Sequence, residues 1–351
     1  MSSVDIRADL AVRGLNLAAP VTRHKGAGPS DDGHLVVDGA NAAIPLDPDS
    51  PYTVRDGRVH KGTIDLGLSV EPVRRPRFYD LETADGVPYR KIALLHGRDV
   101  LATTVVQTCI RYAEDQRCRF CAIEESLRAG ATVAAKTPAQ LAEVAEAAVR
   151  LDGVRQLVMT TGTTTGPDRG ARVLVRCVRA VLAAVPGLPV QVQIEPPGEL
   201  GVLAELKAAG ATSIGIHVES LDDDVRRRWL PGKSTVPLAD YEAAWDEAVR
   251  LFGPNAVSTY LLVGLGESAD ELVDGAAELI RRGVYPFVVP YRPIPGTLAW
   301  ADGHPAPTGA QLASVTERVA ALLRSAGMRG ADQAAGCAAC GACSALAAAG
   351  G

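Results

Sequence analysis

Six of the seven cysteines in this 351-residue chain fall into two tight groups. Cys109, Cys118 and Cys121 lie in the run QTCIRYAEDQRCRFC, and Cys337, Cys340 and Cys343 in GCAACGACS. The N-terminal stretch MSSVDIRADLAVRG lacks the apolar run of a secretory signal, and no run of about 18 apolar residues occurs that could span a bilayer. A cytoplasmic location is therefore expected, where thiols stay reduced and structural disulfides are rare. Clustered thiols in that setting point to metal ligation. Three thiolates can hold three irons of a cubane and leave the fourth without a protein ligand. Zinc is the competing metal, but a structural zinc takes four Cys or His ligands. The nearest further candidate, His96, lies on the far side of a strand-like run. Cys177 stands apart among Val173, Leu174 and Val181 at helical spacing and reads as a small buried hydrophobe.

The elements that must position the first group begin near Leu101, where strand-like and helical stretches alternate. The strand-like runs are 101–107, 155–161, 189–195, 212–219, 256–264 and 285–291. Helical periodicity covers 137–152, 169–186, 198–210, 237–252, 268–282 and 308–327, with cap signals at Thr137-Pro138 and Ser268. Such alternation predicts a parallel sheet with right-handed crossovers, either barrel-like or doubly wound. Polarity favours the barrel. Gln191, Gln193 and Glu195 alternate with Val190, Val192 and Ile194, and His217 and Glu219 alternate with Ile216 and Val218. Side chains two apart share a face, so two neighbouring strands put polar groups on one shared face, as an open barrel with a polar ligand inside would require. Glu195, Glu219 and the first cysteine group then fall at the C-terminal ends of the strands, where barrel active sites sit.

The expected fold class is thus α/β, a partial (β/α)6 TIM-like barrel over residues 98–327, with a small β-rich N-terminal region, 1–97, and a Cys-rich tail, 328–351. In the N-terminal region His34–Val37 and Thr63–Val70 read as short strands, and 77–96 reads as a hairpin around Asp85-Gly86. The Ala/Gly-rich tail reads as flexible, able to hold a second cluster or to fold only around a metal. Hydrophobic residues at 47% and charged residues at 22% are those of a globular protein, and a net charge of −5 leaves no basic footprint for nucleic acid.

Cys118-Arg119-Phe120-Cys121, preceded by a cysteine just after the first barrel strand, resembles the signature of the radical SAM superfamily, in the branch containing biotin synthase and lipoyl synthase. The eight residues between Cys109 and Cys118 exceed the usual family gap. The resemblance implies a [4Fe–4S] cluster on Cys109, Cys118 and Cys121, with S-adenosylmethionine (SAM) on the open iron and Phe120 near its adenine. Thr161-Gly162-Thr163 occupies the place of a Gly-Gly-Glu-like turn for the methionyl amino group, without the glutamate. HVESLDDDVRRRWLPGK resembles the family's glutamate segment, so Glu219 would accept hydrogen bonds from SAM. One of Arg226, Arg227 and Arg228 would clamp a carboxylate, with Arg228 the choice. Gly264, Leu265 and Gly266 would lie against adenine, and YRPIPGTLAW also fits this branch.

The implied activity is reductive cleavage of SAM to a 5′-deoxyadenosyl radical that takes hydrogen from a small polar metabolite, with flavodoxin or ferredoxin as reductant. Gln191, Gln193, His217, Tyr260, Tyr291 and Arg292 would line the lumen. Cys337, Cys340 and Cys343 would hold a second iron–sulfur cluster. The chain also resembles a bacterial subfamily associated with nitrilase-type gene clusters, which implies nitrogen or natural-product metabolism. The other function class is a non-catalytic two-cluster electron carrier, which would need no SAM pocket. Neither nucleic acid nor membrane is expected as a partner.

Overall fold

The computed structural model describes residues 2–17 and 35–351, so His34 lies outside the described residues. In the N-terminal region five short strands, β1 (Leu35–Val37), β2 (Ala40–Ala42), β3 (Tyr52–Arg55), β4 (Arg58–Lys61) and β5 (Ile64–Pro72), pair antiparallel in the order β2-β1-β5-β4-β3. Ahead of them stands a helix that the sequence reading lacked, Ser3–Arg13, closed by a capping box between Ser2 and Asp5. Its Val4 and Ala8 join the main core, and its Ile6 and Leu10 join the core of the small sheet.

The larger sheet comprises β6 (Leu94–His96), β7 (Val100–Thr104), β8 (Gln156–Thr160), β9 (Val190–Ile194), β10 (Ser213–Ile216), β11 (Val257–Val263) and β12 (Val284–Pro290). From β7 to β12 the strands are parallel and lie side by side in chain order. A doubly wound sheet would reverse direction at a switch point. Here every crossover advances in the same sense, which keeps the helices on one face and curls the sheet into an open barrel. The expected six parallel strands are present, and β6 adds a seventh, antiparallel to β7 at the edge.

Local chemistry accounts for the helices. Thr137 and Gln140 form a capping box with Pro138 in the first turn, as do Ser268 with Glu271 and Thr308 with Gln311, without the proline. The helices Pro138–Asp152, Ala171–Ala184 and Ala269–Arg281 turn Leu141, Val144, Leu174, Val178, Leu272 and Ala276 into the core. Val190, Val192 and Ile194 meet that layer from β9, while Gln191 and Gln193 point the other way and are also buried.

Two expectations are corrected. The stretch 77–96 is not a two-stranded hairpin. A turn does form at Asp85-Gly86, but it closes through one isolated bridge, Glu82–Pro88, between short 3-10 turns at Arg77–Asp80 and Tyr89–Lys91. Pro88 has no N–H to extend a ladder, and Asp152 takes the N–H groups of Arg77 and Phe78 instead. The tail is not loose either, because residues 328–351 are tied to the first residues of β8 and β10, to the middle of β12 and to Ala43 of the N-terminal region. None of the described helices is long and apolar enough to cross a membrane.

Candidate active site

The first cysteine group lies on the loop that leaves β7 at the C-terminal end of the barrel. Its entry is fixed by backbone bonds from Val105 N to Thr160 O and from Gly162 N to Val106 O, each 2.8 Å. Beyond Cys109, Ile110 N donates to Thr163 O at 3.0 Å. The long gap between Cys109 and Cys118 carries Arg111, whose guanidinium turns inward onto Glu195. Nε lies 3.1 and 3.0 Å from the two carboxylate oxygens, and Nη2 lies 2.5 Å from Oε1. Glu195 also accepts from Thr163 Oγ1 at 2.7 Å, and Arg111 reaches Gly232 O and Thr235 Oγ1. Both members of this ion pair are buried. Glu195 is therefore a counter-ion for the cysteine loop, a partnership that sequence spacing could not show.

The second half of the loop is clamped through its backbone. Arg119 N donates to Trp229 O at 2.8 Å, and Arg119 O accepts from Ala299 N at 2.9 Å. Phe120 faces Trp229 with ring centroids 6.5 Å apart. All three thiols are free and half-buried. Burial pushes the Cys118 thiol well up, and Cys121 to about 11; the neighbouring thiols and Glu219 add to both shifts, while Lys233 opposes them. Thiolates here need added positive charge, and a bound metal supplies it. Among the described residues, no three His, Cys, Asp or Glu side chains converge closely enough to hold a single ion. A cubane spreads its thiolates over separate irons and does not require that convergence. The donor set, three thiols on one loop at the barrel mouth, fits an iron–sulfur cluster with one open iron.

Thr161, Gly162 and Thr163 lie directly against this loop. A Cβ on Gly162 would overlap the carbonyl oxygen of Thr108, so only glycine lets the two backbones approach. Gly162→Ala is expected to cost about 1–3 kcal/mol through that overlap. It should also lower the iron retained after anaerobic reconstitution, read by denaturant unfolding and iron assay, whereas wild-type values for both would deny that this contact seats the loop.

Glu219 sits just past the end of β10 with φ 65°, a left-handed conformation unusual for a glutamate. Its N–H donates to Tyr260 O at 3.1 Å and its carbonyl accepts from Leu262 N at 2.9 Å. The carboxylate is buried 2.5 Å from Lys233 Nζ, which also donates to His217 O at 2.7 Å. Burial alone would pull the Lys233 ammonium down, but Glu219 reverses this and keeps it protonated. Lys233 was not legible in the sequence, since a lysine after Pro231-Gly232 carries no local sign of its burial.

The three consecutive arginines diverge, as about 100° per helical residue requires. Arg226 is buried on the carbonyl of Val236, and Arg227 is exposed beside Asp224. Arg228 donates to Leu265 O at 2.6 Å. With Trp229, Gly264, Gly266 and His304 it lines a cavity of about 610 Å³. Trp229 Nε1 shares Leu265 O at 2.5 Å, and His304 Nε2 lies 3.1 Å from Gly264 O. Trp229 and His304 belong to this wall without any sequence pattern that would have marked them. Gly264 and Gly266 have φ of 107° and 135°, which suit glycine alone.

The expected lumen residues separate by height. Gln191, Gln193, His217 and Tyr260 face inward along β9 to β11, with His217 and Tyr260 stacked at 3.9 Å. Tyr291 instead packs at the mouth on Trp229 and His304. Arg292 leaves the lumen to donate to Ala43 O at 2.8 Å in the N-terminal region. Cys177 is buried in the main core, as its helical neighbours suggested.

An open parallel barrel carrying a cysteine loop at its mouth defines a class that comparison with known proteins makes specific. Residues 115–279 match the profile of the Radical SAM superfamily, from just after Cys109 through Cys118 and Cys121 to β11 and its following helix. The chain is 26% identical over 312 residues to the bacteriochlorophyllide c C-7(1)-hydroxylase of Chlorobaculum limnaeum, covering 82% of this chain and 77% of that enzyme. It is 29% identical over 171 residues to the lipoyl synthase of Thermus thermophilus, across 48% of this chain and 50% of that enzyme's length. In fold it is similar to the crystal structure of methylornithine synthase, at a TM-score of 0.50 and 14% identity over 72% of each chain. The match over residues 115–279 and these relatives support an enzyme of the radical SAM class. That class implies a [4Fe–4S] cluster and SAM, a small-molecule substrate and a source of electrons.

Proposed function

We propose that the loop thiols Cys109, Cys118 and Cys121 hold the [4Fe–4S] cluster and that SAM binds between it and the Gly264–Gly266 segment. The observation that carries this reading is the loop itself: three thiols at the barrel mouth, tied down by the Arg111–Glu195 pair and the Arg119 backbone clamp, beside a cavity of about 610 Å³. When bound, the cluster supplies the electron that cleaves SAM into methionine and a 5′-deoxyadenosyl radical, which takes hydrogen from an unactivated carbon.

The chain's own residues would bind, orient and exclude water. Phe120 and the glycine-rich backbone at Gly264, Leu265 and Gly266 form the adenine side, with Arg228 and Trp229 holding that backbone in place. Thr161, Gly162 and Thr163 offer carbonyls and hydroxyls to the methionyl amino group. Glu219, charge-balanced by Lys233, accepts hydrogen bonds from the ribose or amino groups of SAM. His217, whose ring nitrogens are shielded and have no hydrogen-bond partner among the described residues, faces a small polar substrate in the lumen. Residues 98–327 then form the catalytic core, 1–97 an accessory region, and 328–351 a floor whose Cys337, Cys340 and Cys343 hold a second iron–sulfur cluster. Seven unpaired thiols suit the reducing cytoplasm, where flavodoxin or ferredoxin would supply electrons.

The test is anaerobic reconstitution with iron and sulfide, dithionite reduction, addition of SAM, and assay for 5′-deoxyadenosine. Formation of 5′-deoxyadenosine supports this reading. An intact, reducible cluster that leaves SAM uncleaved, with or without candidate polar substrates, favours electron carriage instead. Glu219→Ala is expected to weaken SAM binding measured by titration, and an unchanged dissociation constant would remove its proposed contact.

A further inference from the structure

The barrel floor is closed by the chain's own C-terminal segment. It crosses the N-terminal ends of the strands, where Arg329 O accepts from Asn255 Nδ2 at 2.9 Å and Ala335 O accepts from Ser213 Oγ at 2.7 Å. Gly336 N donates to Gln156 Oε1 at 2.7 Å, and Ser344 Oγ to Val288 O at 2.5 Å. Gln156 and Ser213 are the first residues of β8 and β10. A Cβ on Gly336 would overlap the Gln191 amide, so the glycine lets the segment rise into the lumen. The next residue, Cys337, begins the helical turn Cys337–Cys340.

The Cys337 sulfur does not face solvent. It lies 2.9 Å from Tyr260 Oη and 3.2 Å from Gln193 Nε2, two side chains of the inner barrel face. Its backbone N–H reaches Gln191 Oε1 at 3.3 Å. The lower end of the polar row along β9 is thus engaged by the tail. Cys340 and Cys343 follow at two-residue gaps, both half-buried, and burial pushes their thiols to about 12 and 11. Cys343 lies close enough to feel both Arg292 and Cys337.

We infer that the second cluster sits in the lumen floor with its Cys337 ligand turned toward the substrate chamber, and that Tyr260 and Gln193 donate hydrogen bonds to that sulfur and raise the cluster's reduction potential. This rests on the proposed reading of the three tail cysteines as cluster ligands. Once Cys337 is a thiolate its sulfur can only accept, so the tyrosine O–H and the amide N–H become its donors. Both are pre-oriented. The other Gln193 N–H is engaged by Gln191 Oε1 at 2.9 Å, and the Tyr260 ring is stacked within 3° of parallel on His217. Hydrogen bonds to cluster sulfur raise the potential by stabilising the more negative reduced state. A cluster serving as a relay to solvent would have no use for a ligand sulfur held against the inner faces of β9 and β11.

The full-length chain carrying Cys118→Ala, which removes the first cluster, isolates the second. It is reconstituted anaerobically with iron and sulfide, assayed for iron, and titrated electrochemically while its electron paramagnetic resonance is followed. The expected result is a tail cluster whose midpoint moves to a more negative value with Tyr260→Phe, again with Gln193→Leu, and furthest with both. Bound iron with an unchanged midpoint and spectrum in all three variants overturns the lumen-facing assignment while leaving the cluster standing. No iron bound in the Cys118→Ala chain, with the wild-type chain holding a single cluster, overturns the inference by removing the second cluster itself.

Discussion

Cys118→Ala is expected to abolish 5′-deoxyadenosine formation and to remove the iron of the first cluster, leaving the fold in place. The fold should survive because what anchors this stretch is backbone. Arg119 is bonded through its N–H to Trp229 and through its carbonyl to Ala299, at 2.8 and 2.9 Å, and alanine disturbs neither contact. The thiol makes no comparable structural bond among the described residues. It is half-buried, and burial raises its pKa, so in the absence of metal it contributes little beyond packing. With only two thiolates left, a second iron of the cubane loses its protein ligand. Circular dichroism close to wild type, iron lowered by one cluster and no 5′-deoxyadenosine are the expected observations. Turnover retained in this variant would show that Cys118 is not a ligand.

The second large effect concerns Arg111. Removing one partner of a buried ion pair strands the other charge, at a cost of about 3–5 kcal/mol. Arg111→Ala strands Glu195, which is 6% exposed and among the described residues keeps only the Thr163 hydroxyl as a partner. Denaturant unfolding should show a loss of about that size, and iron binding at the first site should fall with it. Replacing both partners with apolar residues of similar volume is often neutral. Arg111→Met with Glu195→Leu should therefore restore stability without restoring iron, because the tie between the cysteine loop and β9 is still missing. Stability of the single variant within about 1 kcal/mol of wild type would contradict the assigned role, since buried pairs do not break so cheaply.

The sequence was most legible where structure is local. Thr137-Pro138 and Ser268 marked helix starts that the backbone confirms. The alternation of Gln191 and Gln193 with Val190 and Val192 correctly assigned two faces to one strand. What it could not carry was pairing at a distance. Arg111 and Glu195 are 84 residues apart, and nothing near either residue names the other. Cys337 and Gln193 are 144 residues apart, so the polar row was assigned to substrate when part of it meets the tail. The tail read as loose because alanine and glycine leave no hydrophobic period, and its order comes from side chains on β8 and β10 and a carbonyl on β12. The N-terminal helix was missed for a different reason. Its buried residues include Val4, Ile6, Ala8 and Leu10, an every-second pattern that imitates a strand.

The most direct test of the central claim is electron paramagnetic resonance of the dithionite-reduced chain carrying Cys337→Ala, Cys340→Ala and Cys343→Ala, recorded with and without SAM. The cluster proposed on Cys109, Cys118 and Cys121 predicts a signal from a single reduced [4Fe–4S] centre that changes shape when SAM is added. A signal indifferent to saturating SAM, or one that persists after Cys118→Ala is added to that chain, would contradict it.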